Sequence, residues 1–109
     1  DIKKDIMRKL HDGDNNKNLL TEKDWKDIEA KIEENFPGFK IRLFDLYSRL
    51  SEHEYKICLL LKLEFKPIEI ASLTLHSKES VASTRRRLYE KVFKCKGSPN
   101  DWDEIIRAI

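Results

Sequence analysis

Residues 64–93 contain two helical patterns separated by a short break, and this arrangement constrains the fold more than any other feature of the sequence. The first pattern opens at Pro67, which suits a first helical turn because the amide hydrogen that proline lacks would have no partner there. A break follows at 75–77, where Ser77 is a good N-cap for a second helix over 78–93. The inner face of the first helix carries Ile70, Ala71, Leu73 and Thr74.

The second helix has one apolar face and one polar face. At about 100° per residue, Leu88 and Val92 fall within about 20° of Val81, and Thr84 and Arg85 flank this stripe. The opposite face offers small side chains near its start and guanidinium groups further along, namely Glu79, Ala82, Ser83, Arg86, Arg87 and Glu90. A helix that enters the major groove of DNA needs such a face, with room for close approach and then donors for base edges and phosphates.

The packing of the two helices can also be anticipated. Ala71 is small where the helices must cross closely, and Val81 lies ten residues later and faces inward. This pairing across a short turn is typical of helix-turn-helix units.

Basic residues are concentrated in the same part of the chain. The net charge of the whole chain is only +2, and residues 1–50 carry 11 basic and 11 acidic side chains. Residues 66–96 carry eight basic side chains against three acidic ones, a net charge of +5. A local excess of this kind indicates a polyanionic partner.

The stretch resembles the LuxR/GerE-type helix-turn-helix and is similar to sigma-factor region 4. The matching residues are Leu50-Ser51-Glu52, Glu54, Cys58, Leu61, Leu63, Glu69-Ile70-Ala71, Ser77, Val81 and Arg85–Leu88. Residues 18–109 also resemble the C-terminal region of Bacteroidetes-type regulators, where such a domain follows a sensor module, often of tetratricopeptide repeats, and a coiled coil. Two residues depart from the family pattern: Leu75 replaces a common turn glycine, and His76 replaces an aliphatic residue.

The resemblance implies sequence-specific binding of duplex DNA by the output domain of a bacterial transcriptional regulator. It places base contacts at Ala82, Ser83 and Arg86, which the helical wheel also exposes. Arg86 is the best candidate for a bidentate contact with guanine, worth ~1–3 kcal/mol in discrimination. We expect contacts with the DNA backbone from Lys66, Lys78, Ser80, Thr84, Arg87 and Lys91.

Two further expectations accompany the DNA-binding interpretation. Arg85 lies close enough to the inner face for its stem to pack, and we expect its head to pair with Glu69. Because DNA half-sites mirror the symmetry of the protein, we also expect a homodimer in the full-length protein. The alternative function is a helical adaptor that uses the same fold to bind another protein. An adaptor would more often expose an apolar patch on its outer helix face, and none is apparent on the second helix.

Catalytic patterns are missing from the sequence. His11, His53 and His76 fall in different segments without the spacing of metal ligands, and no glycine-rich phosphate loop is present. We therefore expect no enzyme activity, no cofactor, no metal and no small-molecule site. Cys58 lies in an apolar segment, so we expect a buried free thiol rather than a redox or metal site.

The composition favours an all-α fold, because only three glycines and three prolines accompany plentiful Leu, Ile, Lys and Glu. We predict a compact helical domain over 21–109, with an N-terminal helical extension at 21–49 and the helix-turn-helix DNA-binding domain at 50–109. Residues 1–20 would be the end of a coiled coil or a linker. The apolar residues of the first eleven positions fit a coiled coil and a simple amphipathic helix equally well.

Capping patterns predict where the other helices begin. Thr21 with Asp24, and Ser51 with Glu54, have the spacing of capping boxes. A helix is expected at about 39–48, and the helix that Ser51 starts should run to about residue 63. A final helix should follow the pair Ser98-Pro99. The helix that Ser51 starts is apolar nearly all round, which predicts a central position. Residues 12–18 read as a polar loop. A calcium loop that began at Asp12 would have glycine at its sixth position and glutamate at its twelfth, where this sequence has Lys17 and Lys23.

The sequence also bears on location. No run of 18 apolar residues and no signal peptide is visible, so we expect a cytoplasmic protein with no membrane contact from this stretch. The chain begins at Asp1 rather than Met, and we expect it to belong to a longer protein.

Overall fold

The fold is all-α, as predicted. A computed structural model describes residues 1–12 and 20–109, and these residues form seven α-helices and no strand. The helices are α1 (Ile2–Asp12), α2 (Glu22–Asn35), α3 (Phe39–Leu46), α4 (Glu52–Lys62), α5 (Pro67–Thr74), α6 (Lys78–Phe93) and α7 (Pro99–Ala108). Helix α3 ends two residues earlier than predicted. Residues 13–18 of the predicted polar loop lie outside the described residues.

Side-chain caps fix the starts of α2, α4, α6 and α7, which is why the local sequence predicts them. The Thr21 hydroxyl accepts from the Asp24 amide at 3.1 Å, and the Asp24 carboxylate accepts from the Thr21 amide at 2.8 Å. Ser51 and Glu54 form the same reciprocal pair at 3.1 and 2.9 Å, so both predicted capping boxes are confirmed. Ser98 caps α7 in the same way with Asp101.

Helix α4 is the centre of the domain, as its apolar sequence predicts. Every residue from Ile57 to Lys62 is buried, and α4 packs against α2, α5 and α7. Helix α6 packs against α5 and α7. The buried side chains of the predicted extension, Ile28, Ile32, Phe39 and Leu43, belong to the same core as those of α4–α7. The segments 21–49 and 50–109 therefore share one hydrophobic core.

Lys62 is an unusual member of that core, because it is only 6% exposed. Its Nζ donates to the carbonyl oxygen of Arg107 at 2.9 Å, and it lies 4.3 Å from the ring centre of Phe36 and 5.4 Å from that of Phe39. Burial, and then the nearby Arg42, lower the pKa of Lys62. The carbonyl and the two aromatic faces compensate part of the lost hydration of the ammonium group.

Helix α1 lies against the domain with its apolar face. Ile6 is 4% exposed and belongs to the core, and Ile2, Met7 and Leu10 pack around it. Lys3 Nζ donates to the carbonyl oxygen of Glu64 at 2.8 Å. In this structure α1 is thus an amphipathic helix of the domain, one of the two alternatives for its sequence. None of the described helices combines the length and the apolarity needed to cross a membrane.

Candidate nucleic-acid interface

The two helices predicted around residues 75–77 are present with the predicted bounds. Pro67 is the first residue of α5, and the Glu69 carboxylate accepts from the backbone amide of Lys66 at 2.7 Å. The Ser77 hydroxyl accepts from the amide of Ser80 at 3.0 Å and so caps α6. The pair α5–α6 is therefore built from local sequence signals, and we call residues 75–77 the turn.

The backbone of the turn is left-handed at Leu75, the residue that replaces the turn glycine common in the LuxR/GerE-type pattern. Leu75 has φ 57° and ψ 42°, and its side chain is 61% exposed. The amide of His76 donates to the carbonyl of Ala71 at 3.0 Å, and the amide of Leu75 donates to that of Ser72 at 3.4 Å. This is the hydrogen-bond pattern of a Schellman motif, which normally favours glycine at the left-handed position.

The inner face of α6 matches the helical wheel. Val81 and Leu88 are fully buried, and Val92 is partly buried against the core. Thr84 and Arg85 are also buried, at 3% and 4% exposure. These side chains fix which face of α6 points outward.

Arg85 forms a buried ion pair with Asp103 of α7. Its Nε donates to Oδ1 at 2.9 Å and its Nη2 donates to Oδ2 at 2.5 Å, in a bidentate arrangement. The two side chains are 4% and 5% exposed. The expected pairing of Arg85 with Glu69 is wrong, because Glu69 caps its own helix and Asp103 takes the guanidinium. Asp103 was missed because no local pattern connects two residues 18 positions apart.

Thr84 is buried rather than exposed to DNA. We predicted a contact between its hydroxyl and the DNA backbone, but the side chain lies beneath the surface. Its Oγ1 accepts from Nη2 of Arg87 at 3.4 Å. A buried hydroxyl cannot reach a phosphate unless the helix moves, so Thr84 is a core residue.

The outer face of α6 brings together the three predicted base-contacting residues. Ala82 and Ser83 are partly exposed, and the Arg86 side chain is 43% exposed. Arg86 Nη1 donates to Oε1 of Glu90, one turn further along, at 3.1 Å. This pair was not predicted, although a spacing of four residues is a known signal for such contacts on a helix.

The remaining predicted backbone contacts lie around this face. Lys66, Lys78, Arg87 and Lys91 are exposed, and Ser80 is partly exposed. Lys66 precedes α5, whereas the others belong to α6. Together with Arg86 they give the surface of α6 a cationic character, next to the two small side chains that allow close approach. We call the outward side chains of α6 the α6 face.

Other chemistry is sparse in the described ranges. Residues 1–12 and 20–109 contain no group of three or more His, Cys, Asp or Glu side chains placed to hold a metal ion. Cys58 is buried as predicted, and burial raises the pKa of its thiol to about 12, so it stays protonated at neutral pH. Cys95 is exposed.

Comparison with known proteins adds no relative. No protein-family model, no curated protein and no solved structure matches this chain.

Proposed function

We propose that this protein binds duplex DNA in a sequence-specific manner, with α6 in the major groove. The observation that supports the proposal is the α6 face itself: Ala82 and Ser83 permit close approach, and Arg86, Arg87 and Lys91 follow on the exposed side. Helix α6 has 16 residues, a length of about 24 Å. It is long enough to contact base edges near its start and phosphates near its end.

Arg86 would read a guanine. A guanidinium has five N–H donors, and its bond to Glu90 uses one of them. The remaining donors can meet the O6 and N7 atoms of guanine, the commonest specific contact in the major groove. Lys66, Lys78, Ser80, Arg87 and Lys91 would contact phosphates and set the position of the helix along the groove.

The wider role rests on the resemblance in the sequence. The chain would be the output domain of a bacterial transcriptional regulator that acts in the cytoplasm. The full-length protein would be a homodimer on DNA, since two symmetric subunits suit two half-sites.

A second candidate function is binding of another protein. Ile68 of α5 and Leu75 of the turn are each 61% exposed, and exposed apolar side chains are common where proteins dock. These two residues flank α6 rather than lie on it. On α6 itself the exposed large apolar side chain is Phe93, the last residue of the helix, at 40% exposure, and the rest of the α6 face is polar or small. An adaptor function would depend on Ile68 and Leu75, whereas DNA binding would depend on Arg86 and Lys91.

The proposal can be tested by fluorescence anisotropy with random-sequence duplex DNA. The native chain should bind more weakly as salt rises, because phosphate contacts release counterions. We expect Lys91→Ala to reduce the salt slope by about one, and Arg86→Ala to lower the specificity found after selection of a site. Lys26→Ala is the matched control, because Lys26 is an exposed lysine on α2.

Two results would contradict DNA binding by α6. One is the absence of binding at low salt by a chain that circular dichroism shows to be folded. The other is an equal loss of affinity in Lys26→Ala and Lys91→Ala, since that would reflect net charge rather than a surface. If Ile68→Ser then abolished capture of a protein partner, the adaptor function would replace the first proposal.

A further inference from the structure

Two histidines are stacked where α4 meets the turn between α5 and α6. The ring centres of His53 and His76 are 3.9 Å apart, and their planes differ by 25°. His53 is the second residue of α4, and His76 is the middle residue of the turn. The stack is therefore a direct side-chain contact between the central helix and the segment that sets the angle between α5 and α6.

His76 is held in place by its own backbone neighbours. Its amide donates to the carbonyl of Ala71 at 3.0 Å, and its Nδ1 lies 2.6 Å from the carbonyl oxygen of Thr74. A carbonyl oxygen only accepts, so Nδ1 carries the hydrogen. The ring is thereby oriented over His53.

The surroundings of His53 disfavour its protonated form. Its Nε2 is shielded from solvent and has no hydrogen-bond partner among the described residues. Burial is the main cause that lowers the pKa of His53, and the neighbouring His76 lowers it further. Protonation of His53 would place a positive charge at this shielded position, stacked against the ring of His76.

The other charged groups around His53 come from its own helix. Glu54 favours the protonated form and Lys56 opposes it. Glu52 and Lys56 line the adjoining groove and pair with each other at 3.1 Å. Helix α2 contributes the uncharged Trp25, and α5 contributes the uncharged Leu73 and Thr74. Both carboxylates in this set have other partners, since Glu52 pairs with Lys56 and Glu54 accepts from the amide of Ser51 at 2.9 Å.

We propose that His53 is a positioning residue that acts through His76 on the turn, and that protonation of His53 weakens DNA binding as the pH falls. This inference rests on the proposed function of α6. The turn is a sensitive place for such an effect, because Leu75 already holds the strained left-handed conformation. A turn that is less firmly held allows orientations of α6 that do not fit the major groove. The apparent affinity for DNA then falls in proportion to the fraction of molecules whose α6 is correctly oriented.

The sign of the pH dependence follows from the lowered pKa of His53. The unfolded chain takes up a proton near the ordinary histidine pKa of about 6.5, whereas the folded chain resists it until a lower pH. Stability is therefore full above about pH 6.5 and declines as the pH falls below it. A simple charge effect has the opposite sign, because extra positive charge on the protein strengthens binding to DNA.

The experiment measures the affinity for a random-sequence duplex from about pH 7.5 to about pH 5.5 at fixed salt, where histidine is the side chain that titrates. We expect the affinity of the native chain to fall by about threefold or more over this range. His53→Gln should remove the fall, and His76→Gln, at an exposed position, should reduce it. His11→Gln is the matched control, and it should behave like the native chain.

The melting temperature provides a readout without DNA. It should fall over the same pH range in the native chain and in His11→Gln, and fall less in His53→Gln. Identical pH profiles of melting in the native chain and His53→Gln would overturn the inference, as would an affinity that rises as the pH falls. If the melting profiles differ but no variant binds DNA at any pH, the pH-sensitive turn stands and the proposed function fails.

Discussion

Leu75 keeps a conformation that its side chain disfavours. Its φ of 57° brings the Cβ atom close to the following carbonyl oxygen, at a cost of about 1–2 kcal/mol for a residue other than glycine. Its side chain is mostly exposed, so packing returns little of that energy. Two other helices end on left-handed residues with a side chain, Glu64 after α4 and Lys94 after α6. At these three helix ends the left-handed residue is not glycine, whereas Gly38, between α2 and α3, has a φ of 84°.

Replacement of Leu75 by glycine should stabilise the protein. We expect Leu75→Gly to raise the free energy of unfolding by roughly 0.5–1 kcal/mol, because the relief of strain exceeds the entropy lost by glycine, about 0.5–1 kcal/mol. Urea unfolding followed by circular dichroism measures the change. Leu75→Ala is the control, since it removes the same apolar side chain but keeps Cβ. An equal gain in both variants would show that exposure of the leucine, not backbone strain, is the cause.

The ion pair between Arg85 and Asp103 joins α6 to α7. Removal of one partner leaves the other charge buried without compensation. We expect Asp103→Asn to lower the free energy of unfolding by about 3 kcal/mol. The neighbouring Glu104→Gln, on the exposed side of α7, should change it by less than about 0.5 kcal/mol. Thermal or urea unfolding of the two variants side by side gives the comparison.

The double variant Arg85→Met with Asp103→Leu separates charge from packing. A buried ion pair replaced by apolar side chains of similar volume is often neutral in stability. We therefore expect the double variant to recover most of the loss seen in Asp103→Asn. If Asp103→Asn alone unfolded like the native chain, the guanidinium of Arg85 would have to find solvent or another acceptor, and the pair would not fasten the two helices.

Contacts between residues close in the sequence can be predicted, and contacts that depend on helix packing cannot. Helix starts follow from groups three residues apart, as with Thr21 and Asp24, and these were predicted with their partners. The inner face of α6 follows from helical periodicity alone. The partner of Arg85 depends on how α7 packs against α6, and no local sequence pattern predicts that packing. Thr84 flanks the apolar stripe on the wheel, and only the packing of neighbouring helices decides that it is covered.

The packing of α1 decides how far the domain extends towards the start of the chain. Eleven residues of amphipathic sequence could not distinguish a coiled coil from a helix that packs on its own domain. The structure shows the packed form, with Ile6 in the core and Lys9 paired with Asp24 of α2. The core consequently draws on every described helix, from α1 to α7.

Truncation of Ile6 tests whether α1 belongs to the folded domain. We expect Ile6→Ala to lower the free energy of unfolding of the chain by about 2 kcal/mol, because a buried side chain is removed. Amides of α1 should also exchange their hydrogens faster. Lys4→Ala, on the exposed side of α1, is the control. A change of oligomeric state in Ile6→Ala, with unchanged stability of the folded domain, would instead indicate a coiled coil.

Lys62 has a consequence for how uniquely the chain folds. The interior of the domain is otherwise mostly apolar, and apolar side chains tolerate many alternative packings with similar energies. The ammonium group of Lys62 tolerates few alternative packings, because it must contact the carbonyl oxygen of Arg107 and the rings of Phe36 and Phe39 at the same time. A helix α4 rotated or shifted along its axis would leave that charge buried without partners. Lys62 thereby penalises the wrong registers of α4 and selects the native one.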